Sequence, residues 1–77
     1  IIFYLINIMD KELLNALYTF YEGNIAKAQA NLIVYLDNPA GIGEHPDVIE
    51  AMDSQVSIIV ENQDKRDAVQ LLLENIK

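Results

Sequence analysis

The chain contains no cysteine. Disulfides and thiolate metal sites are therefore excluded, and a small secreted scaffold held by cross-links is not expected. An intracellular setting is the simplest expectation. Glycine and proline are also scarce, three and two among 77 residues, while 52% of the residues are apolar. That is not the composition of a disordered chain, and the length holds a single domain. Positive charge is the third shortage. Five Lys and Arg face twelve Asp and Glu, for a net charge of −7. From Ala28 to Asp64 there are seven acids (Asp37, Glu44, Asp47, Glu50, Asp53, Glu61, Asp64) and no Lys or Arg. A nucleic-acid binder needs a basic stripe to displace counterions, and an anionic membrane surface attracts the same sign of charge. Neither partner is expected, and no cofactor is either.

Long apolar runs are missing as well. The longest opens the sequence, Ile1-Ile2-Phe3-Tyr4-Leu5-Ile6-Asn7-Ile8. It falls short of the ~20 residues that span a bilayer, and it lacks the basic region and cleavage site of a signal peptide. Its residue types all have codons that can be wholly A/T, and Met9 follows directly. Residues 1–8 therefore read as a translated leader, with the domain occupying residues 9–77. The other reading is a short hydrophobic strand or helical extension that packs on a partner.

What is present is a helical beat. Leu14, Tyr18, Tyr21, Ile25, Ala28, Leu32 and Tyr35 alternate spacings of four and three, the signature of a heptad seam. Gly23-Asn24 interrupts the composition, but the seam keeps phase through it. One helix from Asp10 to Asp37 that tolerates Gly23 is expected. Asn38-Pro39 ends it. Pro46 suits the first position of a second helix, and Asp47 and Glu50 suit its positive first turn. That helix reads Ile49, Met52, Val56, Ile59, then a polar stretch from Glu61 to Asp67, then apolar residues again to Ile76. No breaker interrupts it, so one helix to about Asn75 is expected, with a kink or loop near residues 62–65 as the alternative.

The expected fold is all-α: an antiparallel helical hairpin of two long helices joined by a Gly/Pro loop. Pairing about the loop sets Tyr35 near Ile49, Leu32 near Met52, Ala28 near Val56, and Gly23-Asn24 near Ile59. Such a core is thin for a chain without staples. Spare apolar residues, Leu13, Leu17 and Phe20 on one helix and Ala51, Ile58, Val69, Leu72 and Ile76 on the other, point to a homodimer or a larger protein partner.

The chemistry-bearing run is Gly41-Ile42-Gly43-Glu44-His45. A phosphate loop needs a Lys and a hydroxyl after its glycines, and here an acid and the single histidine follow. His45 with Asp37, Glu44 or Asp47 offers nitrogen and oxygen donors for Zn²⁺ or Mn²⁺, though at a spacing of no standard site. The structural reading has the glycines making the turn, Ile42 plugging the bundle end and His45 at the cap. Ser54, Ser57 and Thr19 are too far from His45 for a nucleophilic triad. No catalytic or metal residue is assigned. Ile42, Glu44, His45, Asp47 and Glu50 form the candidate partner contact.

The stretch from Val34 to Ala51, with Ala26-Lys27-Ala28 before it and Gln63-Asp64-Lys65 after it, resembles small uncharacterised acidic helical proteins of T4-like marine bacteriophages. The Asn-Pro-x-Gly-Ile-Gly-Glu-His run at 38–45 is its most specific part, and the likeness covers most of Met9 to about Val69. It implies a phage context and supplies no activity. The function expected is that of a non-enzymatic interaction protein. The alternative is an acidic nucleic-acid mimic that occupies a basic groove of a host protein through Asp37, Glu44, Asp47, Glu50 and Asp53.

Overall fold

Two helices account for the structure, α1 over Ile2–Asp37 and α2 over Val48–Asn75. The computed structural model describes residues 2–37 and 47–76, with side chains from residue 8 onward. The helices pack against each other as an antiparallel hairpin, the fold expected from the sequence. The rod measures 58 × 16 × 15 Å, with a radius of gyration of 17.4 Å. A compact chain of this length has a radius near ~12 Å. Among the described residues nothing folds back on the pair, and one interhelical seam makes their core.

α1 runs unbroken past Gly23, as the unshifted phase implied. It also starts earlier than expected: Ile2 to Met9 continue the helix upstream of Asp10. Its seam is the one the spacing marked. Ile25 and Ala28 are buried, and Leu14, Tyr18, Tyr21, Leu32 and Tyr35 are half-buried along the same stripe. The three tyrosines are half-buried at seam positions, as suits a residue with an apolar ring and a polar hydroxyl.

α2 starts at Val48, two residues after the expected Pro46, because Asp47 takes the capping role. Its side chain accepts a hydrogen bond from the Glu50 backbone N–H at 2.9 Å, which satisfies one orphan donor of the first turn. The helix passes through the polar stretch at 61–67 without a break. The Lys65 Nζ to Glu61 Oε1 pair at 2.9 Å supports that stretch one turn apart.

The seam of α2 departs from the expected one. Met52, Ile59, Arg66 and Leu73 face α1, but the positions between them are Val48, Gln55, Asn62, Val69 and Ile76. Ile49 is 75% exposed and Val56 is exposed too. The expected pairs Tyr35 with Ile49 and Ala28 with Val56 are therefore corrected. The apolar beat misled because Gln55 and Asn62, both polar, hold seam positions by finding carboxamide partners on α1. Val69 and Ile76, read as spare, belong to the seam for the same reason.

Gly23 is the other correction. It was expected to face Ile59, yet it is exposed, and a Cβ added there meets nothing within 4 Å. Asn24, its neighbour, is the residue that faces α2. The glycine therefore contributes only its cost in helix propensity and unfolded-state entropy. Gly23→Ala should raise unfolding free energy by about 1 kcal/mol in a urea titration, with helicity unchanged. A loss of stability would show that the open space beside Gly23 is used.

Candidate functional site

The polar seam positions come together at the waist of the hairpin. Asn24 Nδ2 donates to Asn62 Oδ1 at 3.0 Å, and Asn31 Nδ2 donates to Gln55 Oε1 at 3.1 Å. Seven residues separate Asn24 from Asn31, and seven separate Gln55 from Asn62, so both bonds share one antiparallel register. Tyr21 and Lys65, three residues further on each helix, keep it: Lys65 Nζ lies 5.9 Å from the Tyr21 ring centroid. At that distance the ammonium can interact with the ring face.

Asn62 is buried, at 6% exposure, and both halves of its amide are engaged. Its Oδ1 takes the bond from Asn24, and its Nδ2 donates to the Ile58 carbonyl at 2.8 Å. No buried side-chain polar atom among the described residues lacks a partner. Satisfaction matters because an unpaired carboxamide in this position costs about 1–3 kcal/mol.

Beside the two bonds lies a groove of about 300 Å³, lined by Asn24, Lys27, Ala28, Asn31, Gln55, Ile58 and Asn62. Its floor is Ala28, 1% exposed, whose small side chain lets α2 approach and leaves the depression above it. The Oδ1 atoms of Asn24 and Asn31 and the Nε2 of Gln55 have no partner among the described residues. Nor does Lys27 pair with a described carboxylate. The groove thus offers hydrogen-bond donors, acceptors and one cation, with no hydroxyl, thiol or carboxylate. It suits recognition of polar groups on a neighbour better than bond-making chemistry.

The groove escaped the sequence reading, which placed the contact at the loop tip. A signal was present. Carboxamides recur seven residues apart on each helix, at 24 and 31 and at 55 and 62. Heptad spacing of amides is how a seam carries polar pairs.

Of the candidate contact residues, Ile42, Glu44 and His45 lie outside the described residues. Asp47 and Glu50 are exposed at the start of α2, where Asp47 acts as the cap. Among the described residues no three His, Asp or Glu side chains gather where they could hold a metal ion. The hydroxyls of Thr19 and Ser54 donate to backbone carbonyls one turn back, those of Asn15 and Glu50. Also among the described residues, no helix is long and apolar enough to cross a membrane.

The basic side chains near the seam are tied locally. Arg66 Nε lies 3.6 Å from Asp67 Oδ1. The hydrogen bond from Lys65 to Glu61, and the charge of that carboxylate, raise the Lys65 ammonium above its ordinary 10.5. A base raised in the folded state adds stability below its unfolded value and loses it as pH climbs through the folded one, so this pair contributes at neutral pH and is lost only at strongly alkaline pH. Its exposure keeps the contribution small.

No protein-family model matches the chain, and no curated protein or solved structure matches it either.

Asn62→Ala removes the acceptor of Asn24 and opens the seam. It should cost about 2 kcal/mol in chemical denaturation. Gln63→Ala, on an exposed neighbour, should change stability by less than about 0.5 kcal/mol. Equal effects would mean that the cross-helix amides carry no special weight.

Proposed function

We propose that this chain is a non-enzymatic interaction protein, which works by self-association or by docking on another protein. The observation that carries the reading is surface. The chain exposes 5855 Å², whereas a compact monomer of its mass, 8.7 kDa, exposes roughly 4,700 Å². Among the described residues only Ile25, Ala28 and Val69 are buried apolar side chains, while Leu13, Phe20, Leu36, Ile49 and Leu71 are each more than half exposed. The excess, roughly 1,100 Å², is more than the ~800 Å² that one partner contributes to an ordinary protein interface. The waist groove, without hydroxyl, thiol or carboxylate, supports binding over catalysis.

On the sequence resemblance, the setting is a phage-infected cell, and the partner is a phage or host protein in the host cytoplasm. A second reading, the acidic nucleic-acid mimic, draws on one observation. Among the described residues, one flank of the seam carries Glu12, Glu22, Asp53, Asp67 and Glu74 and no Lys or Arg. The bases nearest to it, Lys11 and Arg66, occupy seam positions.

Thermal unfolding followed at chain concentrations from about 1 to 100 µM tests the first reading. Association through apolar faces should raise the melting temperature with concentration, and added salt should not reverse it. A melting temperature independent of concentration, together with binding to basic proteins that weakens steeply with salt, would favour the mimic instead.

A further inference from the structure

The two long sides of the hairpin differ in charge, and the difference selects the side on which a second copy fits. With the seam fixed by burial and by the amide bonds, helix geometry sorts the flanking residues into two faces. One face holds the waist groove. On it lie Leu13, Leu17, Phe20, Ile58 and Leu72, with the charged residues Asp10, Lys27, Asp47, Glu61 and Lys65. Lys65 and Glu61 neutralise each other, so this face is close to neutral. The opposite face carries the five acids named above. Pressing two such acidic faces together would bring ten carboxylates into one interface without a flanking base, which like-charge repulsion and desolvation oppose. The opposite face does have exposed apolar residues, Ile33, Leu36, Ile49, Val56 and Val60, but they run from the loop end to the waist and none lies beyond it toward the open end.

We infer that the chain forms a homodimeric four-helix bundle through its groove face, with the two-fold axis running along the rods. This rests on the interaction reading above and names its partner as a second copy. The area agrees: a face 58 Å long and 16 Å wide offers roughly 900 Å², close to one side of a standard interface. The direction of the axis follows from charge and level. An axis along the rods keeps open end with open end and sets α1 of one copy over α2 of the other. Register puts residue 25 level with residue 61, so Lys27 then lies within about one helical turn of Glu61 in the second copy. Leu13, Leu17 and Phe20 cover Ala68 and Leu72 of the second copy. An axis across the rods through the waist would instead bring Lys27 against its own equivalent. The unpartnered amide atoms of Asn24, Asn31 and Gln55 meet a surface of the same kind, and carboxamides supply both donor and acceptor to one another.

Analytical ultracentrifugation of the full chain at about 100 µM tests the inference. The expected result is a dimer that Phe20→Glu and Lys27→Glu each weaken at least tenfold, while Val56→Glu on the other face leaves it unchanged. Phe20 and Val56 are both exposed in the single hairpin, so neither change disrupts the seam. The axis is read by cross-linking. A Phe20→Cys chain mixed with an Ala68→Cys chain should form disulfide-linked heterodimers faster than either chain links to itself. A monomer at this concentration would overturn the homodimer and leave docking on a different protein standing. A dimer abolished by Val56→Glu and indifferent to Phe20→Glu would overturn the choice of face. Faster self-linking of either single-cysteine chain would overturn the axis.

Discussion

Two side-chain hydrogen bonds between carboxamides set the alignment of the hairpin. A seam of aliphatic residues alone tolerates sliding, because one apolar contact resembles the next a heptad away. Asn24 with Asn62 and Asn31 with Gln55 remove that freedom. Sliding α2 by one heptad would keep a single amide pair and set the other carboxamides against apolar neighbours. Burying an amide without a partner costs more than the net gain from forming its bond, so the penalty for misalignment exceeds the stability the bonds add. Register is thus enforced by what is lost in the wrong arrangement.

Everything along the rod takes its place from that alignment. Ala28 lies between the two amide pairs in the groove floor, where its single methyl lets the helices approach. Lys65 reaches the Tyr21 ring, and the Phe20 ring stands 5.8 Å from that of Tyr21 at 54°. The aromatic pair therefore has one ring toward the seam and one on the outer face. The same alignment separates an almost neutral face from an acidic one.

How far the sequence disclosed this depends on the helix. In α1 the seven residues of the heptad stripe from Leu14 to Tyr35 are all apolar, so periodicity alone located the stripe and carried it through Gly23, although it did not show Asn24 and Asn31 beside it. In α2 the seam passes through Gln55, Asn62 and Arg66, and hydrophobicity points one residue aside, to Ile49 and Val56. The burial of a carboxamide depends on a partner from the other helix, and a pattern read along one helix does not contain that partner. The hairpin was legible for this reason and its pairing was not. The waist groove was missed with the pairing, since it exists only where the four carboxamides and Ala28 meet. The loop-tip residues Ile42, Glu44 and His45 lie outside the described residues.

The bonds that hold the alignment carry no formal charge. Amides do not titrate in the range where carboxylates and imidazoles change state, and mobile ions screen them little. Acidification or concentrated electrolyte can thus recolour the outside of the rod while its two strands of helix stay in step. The same independence extends to inheritance: a lineage can exchange acids and bases along the outer faces, and so change the company the protein keeps, without disturbing how it is threaded.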